Sequence, residues 1–377
     1  MKLVFVSNYI NHHQIPLCEE LYRLSDGEFV FLATEPMSEE RKAMGWDATA
    51  SSKNYVVNYF EDPDKGDSLI MDSEYVLFGG TENQELIIKR LEAGKFTVRY
   101  SERLYKTGRW KFVSPRGLKQ KFHDHTRFRK SPVFLLCAGA YVAGDFNLVG
   151  AYPGKKLKFG YFPKAYKYED VNSFRRKVDK DNSINILWAG RFIDWKHPEM
   201  MVELAGLLAD VGLDFKITMV GNGELKETVE NQAKENDMLK YMEFIGALSP
   251  EEVREKMLLA DFFISTSDRQ EGWGAVINEA MNSGCVTIAA KDIGAAPYLI
   301  RNGENGYMYK ALDVKAIKDI IVTLAQDKNK RYEIGNRAYE TIVNTWNAET
   351  AAKRLWDFFK THGHEACKYS EGPLSKA

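Results

Sequence analysis

Five short apolar runs separated by amphipathic stretches fill residues 184–290, and this alternation restricts the fold more than any other feature. The runs Ile184–Ala189, Phe215–Val220, Tyr241–Ile245, Phe262–Ser265 and Val286–Ala289 are apolar on nearly every residue. Strands read this way when both faces of their sheet are covered. Between them, helical periodicity predicts helices over Pro198–Ala209, Glu224–Glu235, Pro250–Leu259 and Gly274–Ser283. Helix-length crossovers join parallel strands, so the pattern predicts a doubly wound parallel α/β sheet.

The first half repeats the alternation less cleanly. Strands are expected at Leu3–Ser7, Glu28–Leu32, Tyr75–Phe78, Phe96–Tyr100 and Val133–Cys137, with helices at Gln14–Leu24 and Asn83–Ala93. A chain of 377 residues is too long for one ordinary core. We therefore expect an N-terminal α/β domain over 1–165, a C-terminal one over 166–345, and a C-terminal helix and tail over 346–377. The charged stretch Glu169–Asn182 reads as a surface linker. Lys328–Val343 and Ala348–Lys360 read as the last helices, and Thr361–Ala377 as a polar end that frays.

Apolar residues at 44%, charged residues at 28% and a net charge of -1 describe a soluble globular chain. Cys18, Cys137, Cys285 and Cys367 show no metal-ligand spacing, which favours a reducing compartment. No apolar run approaches the roughly 20 residues that span a bilayer, and Met1–Val6 enters a strand directly. A cytoplasmic protein is expected.

Chemistry concentrates in Glu271-Gly-Trp-Gly-Ala-Val-Ile-Asn-Glu279. An apolar strand precedes it and a helix opens within it, so backbone N–H groups at a helix N-terminus face an open site suited to an anion. The two carboxylates accept hydrogen bonds only and suit hydroxyls. A sugar joined to a phosphate satisfies both. Gly190, Arg191 and Lys196 follow a strand end; the two cations are either solvated or a fixed pair able to hold a diphosphate. Gly221-Asn222-Gly223 either admits a nucleotide to the backbone or makes a tight turn. It is no dinucleotide fingerprint, because Lys226 stands at the third glycine position. Ile245 and Gly246 end another strand, beside a base or in a plain turn.

Taken in order, Gly190-Arg191…Lys196, Gly221-Asn222-Gly223, Phe244-Ile-Gly246, the Glu271–Glu279 run, Ile293-Gly-Ala-Ala-Pro297 and Asn302–Tyr307 resemble glycosyltransferase family 4. The resemblance is specific over about residues 184–310 and architectural before that. It implies a GT-B fold, two facing Rossmann-like doubly wound domains with parallel sheets and a C-terminal helix packing back on the first. It also implies retaining, metal-independent transfer. Arg191 and Lys196 would contact the donor diphosphate; Glu271 and the backbone of Gly272, Trp273, Gly274 and Ala275 would hold the donor sugar. Val276 would face the diphosphate, Glu279 the ribose, and Ile245 and Gly246 the base.

The chain departs from that family in its first half. Ser7–Gln14 lacks the usual glycine-rich loop, leaving His12 or His13 to contact sugar or acceptor, or Asn11 simply to cap a helix. Glu102 stands where a histidine is usual. Asp62-Pro-Asp64 superficially suggests a metal motif but lies in a polar turn, and nothing in the sequence requires a metal or a cofactor. From Arg103 to Lys130, Lys106, Arg109, Lys111, Arg116, Lys119, Lys121, Arg127 and Arg129 alternate with Trp110, Phe112, Phe122 and Phe128. Such a stretch suits an anionic membrane face or acceptor, or is a solvated surface; no nucleic-acid motif accompanies it.

The expected function is sugar transfer from a nucleotide diphosphate sugar to a hydroxyl acceptor, in surface-polysaccharide or lipid-linked glycan assembly. A sugar-nucleotide epimerase of the same fold, or a non-catalytic sugar-nucleotide-binding protein, are the alternatives. A nicotinamide oxidoreductase is disfavoured, because Ser7–Gln14 has no glycine.

Overall fold

The structure is a computed structural model and describes residues 2–37, 53–81, 83–108, 113–178, 183–366 and 368–377. It divides into two compact units, Met1–Lys164 with Thr345–Ala377, and Ala165–Asn344. Both are parallel α/β sheets with helical crossovers, which is the Rossmann-like architecture of a GT-B chain.

In the first unit, β1 (Leu3–Ser7), β2 (Phe29–Ala33), β3 (Val56–Asn58), β4 (Tyr75–Phe78), β5 (Thr97–Ser101), β6 (Val133–Ala138) and β7 (Lys156–Phe159) form one sheet. Their order is β3-β2-β1-β4-β5-β6-β7, parallel throughout. Val6 pairs with Leu32 on one side and Phe78 on the other, and all three are buried. The strand order reverses between β1 and β4, which opens a crevice at the carboxyl ends of the strands.

The second unit holds β8 (Ile184–Ala189), β9 (Phe215–Val220), β10 (Met242–Ile245), β11 (Phe262–Ser265), β12 (Val286–Ala290) and β13 (Tyr307–Tyr309). Their order is β10-β9-β8-β11-β12-β13, again parallel, with the reversal between β8 and β11. Leu187, Val220, Phe263, Ala280 and Cys285 form part of its core.

Two expectations need correction. The tail beyond Thr361 does not fray along its described length. Leu374 N donates to Lys158 O, Lys158 N to Ser375 O, and Ala377 N to Lys156 O, at 2.8, 2.8 and 3.2 Å. Leu157 and Lys376 form an antiparallel bridge, so the tail runs along edge strand β7. An edge strand offers a row of unpaired backbone groups, and a polar tail has the same backbone to pair with them. Just before the tail, the helix Ala348–Lys360 belongs to this unit, its Phe358 and Phe359 lying against Phe96.

Nor is Glu169–Asn182 a surface linker where it is described. Val171, Asn172 and Arg175 are buried, and Arg175 donates to Ala260 O, Ser283 O and Asn172 Oδ1. A charged side chain that closes backbone carbonyls belongs to the core, and composition alone hid this. Residues 179–182 lie outside the described set.

Candidate active site

The second unit brings its motif residues to the carboxyl ends of β8, β9, β10 and β11, around the point where strand order reverses. After β8 the chain turns through Gly190, Arg191 and Phe192 into a short 3-10 turn, Asp194–Lys196. Phe192 N donates to Asn222 O at 2.9 Å, and Gly221 N to Ile245 O and Gly246 O at 3.2 Å each. These bonds tie three strand ends together.

The glycines of Gly221-Asn222-Gly223 serve this packing. Gly221 has φ 134°, and a Cβ there would sit 1.9 Å from Gly190 O; at Gly223 it would sit 2.4 Å from Phe192 O. Both glycines are therefore required by the approach of the chain's own backbone. Asn222 keeps its side chain near Gly246, where a Cβ would lie 3.8 Å from Asn222 Oδ1.

Lys196 is held from both ends. Trp188, wholly buried in β8, donates from Nε1 to Thr266 Oγ1 at 2.8 Å, and Thr266 donates in turn to Lys196 O. The ammonium forms an ion pair with Glu271 Oε2, which also accepts from Ser267 Oγ at 3.4 Å. Both side chains are 15% exposed, so the pair is shielded yet reachable. Arg191 is exposed, and its guanidinium lies 5.9 Å from the Trp195 ring whose centroid is 4.8 Å from Lys196 Nζ. Two cations thus flank one indole at the end of β8.

Glu271 reaches the turn that opens the helix Ala275–Asn282. Gly274 caps that helix with φ 88°, and a Cβ on it would lie 3.4 Å from Glu271 Cγ and 2.7 Å from Ile293 Cγ2. The backbone of Ala275 and Val276 therefore opens beside the Lys196–Glu271 pair, and a helix N-terminus favours negative charge. The Trp273 side chain does not face this opening: it is fully buried, its Nε1 donating to Asn278 Oδ1 at 2.9 Å. Gly272 is buried beside it.

Glu279 lies on the same helix, partly exposed, with no hydrogen bond or ion pair of its carboxyl among the described residues. Burial pushes its pKa up to about 7. Sequence reading passed over His197, a non-glycine residue at φ 48° whose Nδ1 meets Glu199 Oε1 at 3.0 Å and whose Nε2 lies 3.7 Å from Asp268 Oδ2. The Glu199 carboxylate raises its pKa against the opposing effect of burial. It also passed over Thr266, although the small polar residues ending β11 were a visible signal.

In the first unit, a cavity of about 640 Å³ opens above β1, β4 and β5. His13 and Glu102 line it, as do Asn8, Arg99, Lys121 and His125. Glu102 accepts from Tyr161 Oη at 2.6 Å and pairs with Lys106. The His13 ring stacks parallel to Tyr161 at 6.5 Å and packs on His12, at 3.8 Å between centroids. Burial, then the neighbouring His12, lowers the His13 pKa to about 3, so its ring is neutral at pH 7. Asn11 organises the turn, Oδ1 accepting from His13 N at 3.0 Å, but the helix N-cap is Gln14. Asp62 is likewise structural: it caps the helix Pro63–Asp72 through Lys65 N.

The basic stretch is not one patch. Arg103 pairs with buried Asp145, Lys106 with Glu102 and Arg127 with Glu92, while Lys121 lines the cavity. Arg116, Lys119, Arg129 and Lys130 are exposed, near exposed Val113, Leu118 and Phe122. Arg109, Trp110, Lys111 and Phe112 lie outside the described residues.

Residues 170–341 match the family described as glycosyl transferases group 1, a span that lies within the second unit. Among curated proteins, the chain is 25% identical over 150 residues to a GDP-mannose-dependent alpha-(1-6)-phosphatidylinositol monomannoside mannosyltransferase of Mycobacterium tuberculosis, covering 38% of this chain and 39% of that one. It is 26% identical over 188 residues to an N-acetyl-alpha-D-glucosaminyl L-malate synthase of Bacillus anthracis, covering 49% and 48%. The chain thus spans less than half the length of these relatives. Among solved structures, Anabaena Alr3699/HepE in complex with UDP and glucose superposes with a TM-score of 0.68 at 16% identity, covering 96% of this chain and all of that one. A glycosyltransferase from Rickettsia africae gives 0.67 at 15% identity, covering 96% and 98%. These likenesses to solved structures are likenesses of fold.

Proposed function

We propose that this protein is a retaining glycosyltransferase of family 4 that moves a hexose from a nucleotide diphosphate sugar to a hydroxyl acceptor. One observation carries the reading. A shielded lysine–glutamate pair lies beside a helix N-terminus in the second unit, and the same helix carries Glu279, whose carboxyl has no partner among the described residues. The match of that unit to group 1 glycosyl transferases, the printed activities of the relatives, and the UDP and glucose of the Anabaena structure agree with it.

Cleavage of the sugar–phosphate bond leaves positive charge on the sugar and negative charge on the diphosphate. Lys196, Arg191 and the backbone N–H groups at Ala275 and Val276 stabilise the diphosphate as its charge grows, without a metal ion. Donor binding draws Lys196 toward phosphate, and Glu271 then accepts from sugar hydroxyls. Glu279 accepts from the ribose. The first unit's cavity takes the acceptor. The acceptor belongs to surface-polysaccharide or lipid-linked glycan synthesis, and the exposed cations and apolar residues around the helix Pro115–Asp124 contact an anionic membrane.

The test is incubation with a panel of nucleotide sugars and membrane extract, measuring release of nucleoside diphosphate. Acceptor-dependent release with one donor is expected. Donor conversion without acceptor would favour an epimerase, and no release with any donor would refute the reading.

A further inference from the structure

Two cations in the first unit's cavity lack a carboxylate partner. Arg99 projects from β5, a strand otherwise buried among apolar neighbours, and is itself only 6% exposed. Its Nη1 donates to Asp124 O at 2.7 Å and its Nη2 to Gln84 Oε1 at 2.8 Å. Both acceptors are neutral, so the guanidinium charge is hydrogen-bonded but not balanced. Lys121, half-buried on the helix Pro115–Asp124, lines the same cavity, and its ammonium makes no hydrogen bond or ion pair among the described residues.

The Asp124 carboxylate lines the same cavity and is the opposing charge there, though no ion pair joins it to either cation among the described residues. Both of its oxygens accept from Gln120 Nε2 at 2.9 Å, and Oδ1 meets His123 Nδ1 at 3.1 Å. Burial, then the proximity of Arg99 and Lys121, keeps His125 neutral, with its Nδ1 2.8 Å from Tyr152 Oη. Glu102, the other carboxylate lining the cavity, is paired with Lys106. Burial also lowers the Lys121 pKa, with the Arg99 charge adding to it and Asp124 opposing. A buried charge without a partner is costly, and an incoming anion removes that cost.

We infer that this cavity binds a phosphate group carried by the acceptor, held between Lys121 and Arg99. Arg99 and Lys121 outweigh the one Asp124 carboxylate that shares the cavity with them, which leaves an excess of positive charge suited to a phosphate group. A guanidinium and an ammonium are also the usual phosphate partners. The inference rests on the glycosyltransferase reading only for the word acceptor; the anion site stands on its own geometry. The phosphate belongs either to a soluble phosphoester or to a lipid headgroup.

Calorimetric titration of the whole chain with glycerol 1-phosphate tests the soluble source. Co-sedimentation with phosphatidylcholine vesicles containing phosphatidic acid, whose headgroup is a phosphomonoester, against pure phosphatidylcholine, tests the lipid source. UDP is titrated in parallel. Lys121→Gln, whose side chain is half-exposed, should fold as the wild type does and weaken phosphate binding by about tenfold or more in whichever arm shows it. Arg99→Gln should do the same if it folds; Lys121→Gln decides the matter if it does not. No binding in either arm, or equal binding by wild type and Lys121→Gln, overturns the site whatever UDP does. Lys121-dependent phosphate binding without UDP binding upholds the site and counts against the glycosyltransferase reading.

Discussion

Lys196 and Glu271, separated by 75 residues, meet as a shielded ion pair beside the N-terminus of the helix Ala275–Asn282. The contact ties the turn after β8 to the turn that opens this helix. Removing one partner leaves the other's charge partly buried. Lys196→Ala and Glu271→Ala should each lower stability by about 1–2 kcal/mol, between the values of exposed and buried pairs. A denaturant double-mutant cycle should show a positive coupling; strictly additive losses would mean that the pair contributes nothing to the fold.

Thr266 joins Trp188 to Lys196 through one hydroxyl. Thr266→Val keeps the shape and removes both bonds, leaving a buried indole N–H unsatisfied at a cost of about 1–3 kcal/mol. If that hydroxyl positions Lys196, nucleotide-sugar turnover should fall about tenfold with little change in KM for the donor. A melting temperature that drops while kcat holds would limit Thr266 to a structural role.

Glu279 gives the site a pH dependence. Its carboxyl is raised from 4.5 to about 7, so the folded state binds a proton more tightly than the unfolded one across that range. Its contribution to stability is therefore fully present below about 4.5 and is lost as pH rises through 7. Glu279→Gln should flatten this trend and add about 1–3 kcal/mol at pH 8. An ionised carboxylate accepts from ribose hydroxyls more strongly than a neutral carboxyl, so UDP binding should strengthen from pH 6 to 8 in the wild type by more than in Glu279→Gln. Identical pH profiles for the two proteins would remove Glu279 from the nucleotide site.

The glycines of the second unit divide by what surrounds them. Gly221→Ala would drive a methyl against Gly190 O at a backbone angle that other residues avoid, and should cost about 3 kcal/mol or more. Gly246→Ala meets only Asn222 Oδ1 at 3.8 Å and should leave the melting temperature nearly unchanged. Comparable losses in the two variants would contradict the packing described for this turn.

Legibility in the sequence followed burial on both faces. Ile184–Ala189, Phe215–Val220 and Phe262–Ser265 have the bounds expected of them, because these interior parallel strands are largely apolar and stop at polar or glycine residues. Edge strand β10 was expected, as Tyr241–Ile245, but the other edges were missed: β3 and β13 have three residues each, and β7 alternates lysine with apolar residues. The tail that covers β7 looked disordered because pairing by backbone leaves no mark in side-chain polarity. At the candidate site, the Glu271–Glu279 run was visible because its members lie close in sequence. Arg99, Gln84 and Lys121 come from three separate elements, and only the fold places them in one cavity. The charged Arg99 inside an apolar strand was the one local signal. The Trp273 indole, within the Glu271–Glu279 run, is an internal brace to Asn278, a role its sequence position does not reveal.

The most direct measurement of the central claim is nucleotide-sugar turnover by folded Lys196→Ala, with the active donor and acceptor from the panel. If Lys196 stabilises the charge leaving on the diphosphate, the activation free energy should rise by about 2–4 kcal/mol, a fall in kcat of roughly thirtyfold to several hundredfold. Unchanged kcat in a protein with native circular dichroism and intact UDP binding would contradict the account.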